Sequence, residues 1–169
     1  MKLFFSLLAV NVRRAVFSPR FLLSACGVTL VMFLTGLGLL SNAYDVIYLC
    51  GLSSGSENLM LIVGILPLFP FATTFATEWE ERATAFWMIR TGIWNYAVSK
   101  VLVSALSGFL TTAVGIILFV LIALTRFPLF TKVSTGDAYS VLLDAGKPVQ
   151  YLCYYIAHIS LSSVLFAVA

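Results

Sequence analysis

The chain has 169 residues, of which 61% are hydrophobic and only 10% are charged, and its formal net charge is +3. A soluble globular domain is usually about one quarter charged and just under half apolar, so a mean hydropathy of +1.04 excludes that class. The basic residues form no cluster, which argues against a nucleic-acid-binding protein. The three cysteines match no zinc-binding or CxxC spacing, so no metal site is expected.

Residues 2–18 favour an amphipathic helix. At about 100° per residue, the apolar side chains gather on one face. The other half carries the polar residues Lys2, Ser6, Asn11, Arg13, Arg14 and Ser18. Such an interfacial helix can lie in the membrane surface with Arg13 and Arg14 toward the lipid headgroups. Pro19 predicts the end of this helix, because a residue that precedes proline is disfavoured in the helical region.

Four apolar runs follow, each close to the roughly 20 residues that cross the hydrocarbon core of a bilayer. Because backbone amides in lipid must be paired within their own element, all four are expected to be helices. The predicted spans are about 21–40, 59–76, 101–124 and 151–169. Pro67 and Pro70 predict a kink in the second span. The expected fold class is therefore all-α: one polytopic helical membrane domain over residues 1–169, with an N-terminal interfacial helix and four transmembrane helices.

The lysines and arginines beside the spans indicate the orientation. Seven lie on one side of the membrane, namely Lys2, Arg13, Arg14, Arg20, Arg82, Arg90 and Lys100. Only Arg126, Lys132 and Lys147 lie on the other. This bias places the N-terminus and residues 77–100 in the cytoplasm, and residues 125–150 in an external loop. The last apolar run reaches Ala169 without a flanking charge, so we expect the natural chain to continue beyond it.

The segment 77–100 is unusual because it places many of the charges between two apolar spans. Thr77 and Glu80 have the spacing of a capping box, in which the threonine begins a helix and the glutamate reaches back to it. Glu78 and Arg82 have the spacing of a helical ion pair. A short helix is therefore expected directly after the second span.

This helix is expected to end at Thr91-Gly92 after about three turns, because glycine commonly terminates helices. One of its faces would be apolar with a basic end, formed by Trp79, Ala83, Phe86, Trp87 and Arg90. Trp94 and Tyr96 would then mark the headgroup level. Two interpretations are open: a loop whose tryptophans lie at the membrane interface, or a docking helix for a cytoplasmic partner.

This layout resembles the permease subunits of bacterial type-2 ABC exporters over essentially the whole chain. The resemblance rests on an amphipathic helix before the first span and on a charged helix between spans two and three, followed by Arg90, Tyr96 and Lys100. It implies that residues 2–18 are the elbow helix and that the second element is the coupling helix, which contacts an ATP-binding subunit. The partner-coupling residues would be Glu78, Trp79, Glu80, Glu81, Arg82, Phe86 and Arg90.

The resemblance also implies ATP-driven export across the bacterial plasma membrane by two permease chains, paired as a homodimer or a heterodimer. Members of this family typically have six spans, so the four found here would be part of a six-helix unit. The sequence contains no GxxxxGK[ST] phosphate-binding loop. The chain by itself is therefore expected to be no enzyme and to hold no cofactor, with ATP and Mg²⁺ on the partner subunit. The alternative is a small motor-free membrane protein, of the immunity or scaffold type, that acts by binding.

Three further features have two interpretations each. His158 lies within the fourth span, where an ionisable group marks a possible pathway residue, or is a neutral histidine hydrogen-bonded to a neighbour. Cys50 and Cys153 both fall toward the outer side, where they either form a disulfide or remain free thiols. Small residues spaced by four in the third span, including Gly108 and Gly115, permit close helix packing, either in a dimer seam or within the chain.

Overall fold

The computed structural model of the chain describes residues 2–37, 45–54, 60–80, 83–131 and 140–168. Most of these residues are helical, and no strand occurs among them. The helices are α1 (Lys2–Val16), α2 (Pro19–Leu37), α3 (Val46–Ser54), α4 (Leu66–Glu80), α5 (Ala83–Thr91), α6 (Ile93–Ala123), α7 (Ser140–Asp144) and α8 (Pro148–Val168). A π-helical segment, Leu61–Ile65, leads directly into α4.

Four helical segments of the described chain are long and apolar enough to cross a membrane: Pro19–Leu37, Leu61–Glu80, Ile93–Ala123 and Pro148–Val168. The prediction of an all-helical protein with four candidate spans is therefore confirmed. The second segment continues to Glu80 instead of ending at residue 76, and the third begins at Ile93 instead of Val101. Half of the segment 77–100 thus belongs to the ends of two long helices, with the short α5 between them.

The prolines of the second span coincide with a departure from regular α-helix. Pro70 lies inside α4 and has no N–H, so the carbonyl of Leu66 loses its usual helical donor. The hydroxyl of Ser24 on α2 donates to that carbonyl instead. Just before this point, the N–H of Leu66 donates to the carbonyl of Leu61, five residues back, as in a π-helix. The missing backbone bond is thereby replaced by a contact that ties α4 to α2.

Helix α6 lies at the centre of the bundle and contacts α1, α2, α4 and α8. A Cβ atom added at Gly115 would lie 2.7 Å from Cβ of Val28, so glycine is what allows α2 to approach α6. Thr29 of α2 donates a hydrogen bond of 2.9 Å to the carbonyl of Gly115 at this crossing. A Cβ at Gly108 would lie 3.1 Å from Cβ of Ala167 on α8. These two glycines therefore serve packing within the chain, the second of the two interpretations given above.

One end of the bundle, here called the α3 end, is closed by an apolar core. Its larger buried side chains come from α2, α3, the π-helical segment, α6 and α8: Val28, Met32, Val46, Ile47, Leu49, Ile62, Val63, Ile116, Phe119, Val120, Tyr151 and Tyr155. Asp45 caps α3, because its carboxylate accepts the N–H of Tyr48 at 2.7 Å and the N–H of Thr131 at 2.8 Å. Tyr155 donates to the carbonyl of Cys50 at 2.8 Å. Apolar packing and these bonds hold α3 against the bundle.

The opposite end, here called the α1 end, contains α1, α5, the last turn of α4, the first turns of α6 and the end of α8. The chain direction explains this grouping, since α2 and α6 run away from this end and α4 and α8 return to it. The hydroxyl of Ser104 on α6 donates to the carbonyl of Ala167 on α8 at 2.8 Å, which joins the two helices near this end.

Gly115→Ala should destabilise the fold by about 1–3 kcal/mol, because the added methyl overpacks the contact with Val28 and with the carbonyl of Ala25, 3.0 Å away. Thermal unfolding of the purified protein in detergent measures the effect. Gly51→Ala is the matched control, since a Cβ there meets no atom within 4 Å and the residue is also helical. Equal stability of the two variants would contradict the close approach of α2 and α6.

Candidate functional site at the α1 end

A buried carboxylate lies at the centre of the α1 end. Glu78, in the last turn of α4, is only 3% exposed. Its Oε2 accepts a hydrogen bond from Nζ of Lys100 at 2.6 Å and one from the hydroxyl of Tyr96 at 3.2 Å, both on α6. The guanidinium of Arg14 on α1 lies 3.7 Å from Oε1 of the same carboxylate. A single side chain thus contacts two other helices.

Asn11 extends this group along α1. Lys100 also donates to Oδ1 of Asn11, at 3.4 Å, and Nδ2 of Asn11 donates to the hydroxyl of Ser99 at 3.3 Å. The hydroxyl of Ser99 in turn donates to the carbonyl of Tyr96 at 2.9 Å. We call these residues the Glu78 cluster: Asn11, Arg14, Glu78, Tyr96, Ser99 and Lys100. The cluster fixes the positions of α1, α4 and α6 relative to one another.

The electrostatics of the cluster depend on the ion pair between Glu78 and Lys100. Removing a charge from water is costly unless an opposite charge and further hydrogen bonds accompany it. Glu78 and Lys100 are both buried and form that pair, whereas the side chain of Arg14 is 53% exposed, so its attraction to Glu78 is screened by solvent. Replacing both members of such a buried pair by apolar residues is often neutral for stability, whereas removing only one member is strongly destabilising. Loss of Lys100 would leave the buried Glu78 with only the solvent-screened Arg14, and loss of Glu78 would leave the buried Lys100 without its carboxylate.

Glu78 does not lie where the coupling-helix interpretation places it. Its side chain points into the bundle and away from any docking surface, because α4 continues through this position and Lys100 offers the opposite charge. The capping-box prediction is wrong: Thr77 lies inside α4, and its hydroxyl donates to the carbonyl of Thr73 at 2.9 Å. Glu80 is exposed. Glu81 and Arg82 lie outside the described residues, as does the predicted ion pair of Arg82 with Glu78.

The end of α4, helix α5 and the start of α6 form a corner of the chain, and the outward side of this corner is apolar. Helix α5 ends at Thr91, and Gly92 follows with φ of 83°, so the predicted helix end is confirmed. Five large side chains are exposed around this corner: Trp79, Phe86, Ile89, Ile93 and Trp94. We call them the α5 surface. The guanidinium of Arg90 lies 6.0 Å from the ring centre of Phe86 and adds a cation to it.

The α5 surface differs from the predicted apolar face in several members. Trp79 and Phe86 are exposed as expected, but Trp87 is half-buried. Ile89, at 87% the most exposed member, was not identified in the sequence, although it follows Phe86 by one helical turn. Trp94 is exposed, whereas Tyr96, predicted with it at the headgroup level, is buried against Glu78. An open groove of about 490 Å³ adjoins this surface and is lined by Trp79, Glu80, Thr84 and Ala85.

Helix α1 packs on α6 and α4 through a stripe of one residue per turn, Leu7, Asn11 and Ala15, all buried. The prediction that Asn11 belongs to the outer polar face is wrong. Its amide can be buried because Ser99 and Lys100 satisfy it, and those partners lie nearly 90 residues away along the sequence. Arg13 is exposed, and Arg14 lies between the surface and Glu78.

Lys100 and Glu78 could have been paired from the sequence by one signal. Glu78 follows the second apolar run and Lys100 precedes the third, so two consecutive antiparallel spans carry opposite charges at the same end. Tyr96 lies one turn before Lys100, which explains how both donors reach the same carboxylate oxygen of Glu78. No comparable local signal identifies Asn11.

The remaining candidate residues lie elsewhere. His158 is exposed on α8 and does not face the interior of the bundle. Cys50 and Cys153 are free thiols, the first buried in the α3 end and the second exposed. Burial, together with the negative charge of Asp45, raises the pKa of the Cys50 thiol to about 12, so this thiol stays protonated and unreactive at neutral pH. Within the described ranges, no group of three His, Cys, Asp or Glu residues is placed to hold a metal ion.

No family model, curated protein or solved structure matches this chain. Its function therefore has to be inferred from the site itself. That site combines the Glu78 cluster, which joins three helices, with an exposed apolar surface on the same helical corner.

Lys100→Met should lower the free energy of unfolding by about 3–5 kcal/mol, because Glu78 is then buried without its main cation. The double variant Glu78→Met with Lys100→Met should recover most of that loss, since both charges are removed together. Chemical unfolding of the protein in detergent measures both. Glu80→Gln is the control, because Glu80 lies only two residues from Glu78 on the same helix but is exposed. A double variant as unstable as the sum of the single variants would contradict a coupled pair.

Proposed function

We propose that this chain is a membrane permease subunit of an ATP-driven ABC exporter. It would form part of the translocation pathway with a second permease chain. The observation that carries the proposal is the arrangement at the α1 end, where the exposed α5 surface and the buried Glu78 cluster occupy opposite sides of one helical corner. The layout of an N-terminal amphipathic helix and a helical element between spans two and three, which resembles this family, supports the same function.

The α5 surface has the properties of a protein docking site. Large exposed apolar side chains that lie together mark interaction surfaces, and aromatic residues and arginine are enriched in protein interfaces. Here Trp79, Phe86 and Ile89 are exposed in the last turn of α4 and on α5, and Arg90 lies over the ring of Phe86. The seven-to-three distribution of basic residues favours the cytoplasm for this end, which is where an ATP-binding subunit operates.

The Glu78 cluster supplies a mechanical link from that surface to the spans. Glu78 lies in the last turn of α4, next to Trp79 of the α5 surface. Because Lys100 holds the Glu78 carboxylate at 2.6 Å, a displacement of α5 would move the ends of α4 and α6 together. Asn11 and Arg14 connect α1 to the same pair, so the interfacial helix would follow. ATP and Mg²⁺ would be bound by the partner subunit, and this chain would convert the partner's movement into a movement of its spans.

A motor-free membrane protein is the second candidate, because exposed tryptophans such as Trp79 and Trp94 are also typical of the membrane–water interface. The two functions differ in whether an ATPase is bound. In the exporter the α5 surface contacts a protein, whereas in the motor-free protein it contacts lipid headgroups.

Affinity purification of the full-length protein from native membranes in mild detergent, followed by mass spectrometry, tests the proposal. We expect a stoichiometric subunit with Walker ATPase motifs. The double variant Phe86→Ala with Ile89→Ala should lower its recovery at least tenfold, because truncating central interface residues commonly weakens binding by that factor or more.

Leu30→Ala is the control, since Leu30 is apolar and about as exposed as Phe86 but lies on α2, away from the α5 surface. It should leave the recovery unchanged. Purification of the chain without any ATPase, or equal recovery with the α5 variant, would contradict the proposed function.

A further inference from the structure

Three buried hydroxyls near the middle of α6 have no hydrogen-bond partner among the described residues. They belong to Ser107, Thr111 and Thr112, and none of these residues is exposed. Helix α6 has 31 residues and its midpoint is Gly108, so the three hydroxyls lie near the centre of the hydrocarbon core. Buried polar groups in proteins nearly always have a partner, which is either a protein atom or an ordered water. These hydroxyls therefore indicate a polar molecule bound beside α6.

A fourth hydroxyl of this kind lies on α8. Ser160 is fully buried, and its hydroxyl has no partner among the described residues either. A Cβ atom at Gly108 of α6 would lie 3.5 Å from the carbonyl oxygen of Ser163 on the antiparallel α8. About one turn further along α6 lies Thr111, and one turn back along α8 lies Ser160, so the two are at the same height. Both helices thus bring unpaired hydroxyls to one level of their contact.

An open cavity of about 190 Å³ lies between these hydroxyls and the α1 end. Helices α4, α6 and α8 form its walls, and its polar lining comes from Lys100 and Ser104 of α6. Ser107 lies one turn beyond Ser104, and Thr111 lies one turn beyond Ser107. Because steps of three or four residues return to the same side of a helix, these residues form one polar face of α6. At roughly 30 Å³ for each molecule, the cavity has room for about six waters.

We propose that water enters the chain through this cavity and fills a passage along the polar face of α6 as far as Thr111. A water molecule needs two to four polar partners, and each hydroxyl can both donate and accept. The far end of the passage holds three such hydroxyls, those of Thr111, Thr112 and Ser160. Beyond them, the fully buried Ile116 belongs to the apolar core of the α3 end. The passage is therefore open at one end only.

This inference goes beyond the proposed function and does not rest on it, because every residue of the passage belongs to this one chain. From Lys100 to Thr111 the passage measures about 16 Å at 1.5 Å per residue, which is about half the thickness of the hydrocarbon core. It gives water, and hydrophilic solutes of similar width, a route from the α1 end to the centre of the membrane.

Silver ions test the passage, because they are small, stay in water and react with thiolates. The full-length protein is studied in open membrane fragments, with Cys26, Cys50 and Cys153 replaced by alanine. Ser107→Cys and Thr111→Cys are exposed to silver ions for increasing times, and the thiols that remain are labelled with a maleimide after denaturation. We expect both to react at least about tenfold faster than Ile116→Cys, because the reactive thiolate forms only where water reaches the sulfur. Ile116 is the control because it is equally buried on the same helix.

Val101→Trp tests the entrance. Val101 lines the cavity and is 46% exposed, so a larger side chain there obstructs the opening. We expect it to lower the silver reaction of Thr111→Cys to the rate of Ile116→Cys. Val98→Trp is the matched control, because Val98 is 47% exposed on α6 but does not line the cavity. It should leave the rate unchanged.

Ser160→Cys repeats the measurement from α8, so the test remains valid where a variant on α6 fails to fold. Three results would each overturn the proposal. The first is that the cysteines in the passage react as slowly as Ile116→Cys, which would mean that the seam is dry. The second is that Ile116→Cys reacts equally fast, and the third is that Val101→Trp leaves the Thr111→Cys rate unchanged. None of these rates depends on a bound ATPase, so the passage and the exporter fail separately.

Discussion

The ion pair between Glu78 and Lys100 determines the arrangement of the α1 end. A carboxylate in so apolar a chain has to find a cation within the protein, and Lys100 provides it at 2.6 Å. Burial of Glu78 sets the rotation of the last turn of α4. Because successive helical residues differ by about 100°, Trp79 and Glu80 are then turned outward. The same interaction therefore joins α4 to α6 on the inside, where Asn11 and Arg14 connect α1 to the pair, and it presents Trp79 on the outside.

The two ends of the bundle are built differently, and the proposed function gives this difference a purpose. At the α3 end, apolar packing and the carboxylate of Asp45 hold the helices, and the close crossing at Gly115 leaves little room for movement. At the α1 end, polar contacts hold them, and Arg14 offers Glu78 a second cation on a neighbouring helix. Movement at α5 would therefore act on the α1 end while the α3 end stays fixed.

The four candidate spans could be predicted from the sequence, because a long apolar run in a membrane has to pair its own backbone groups and therefore forms a helix. The sequence-based prediction was wrong where one local pattern is compatible with two different structures. Thr77 and Glu80 have the spacing of a helix start, but the helix before them does not stop, so the threonine bonds backward to Thr73 instead. Asn11 counts as polar in any periodicity, yet it is buried because Ser99 and Lys100 come to it from a distant part of the chain. Lys100 contributed to the predicted membrane orientation. Its pairing with Glu78, however, follows only from the antiparallel arrangement of α4 and α6.

Disulfide formation between Asn11→Cys and Ser99→Cys, in the full-length protein without its natural cysteines, tests most directly whether α1 is docked on α6. The native side chains are 3.3 Å apart. We expect rapid cross-linking in native membranes that slows when Lys100→Met is added, and none between Arg13→Cys and Ser99→Cys, because Arg13 is exposed on another side of α1. Equal or absent cross-linking in the two pairs would mean that α1 lies free on the membrane surface, and the Glu78 cluster would then not join the three helices.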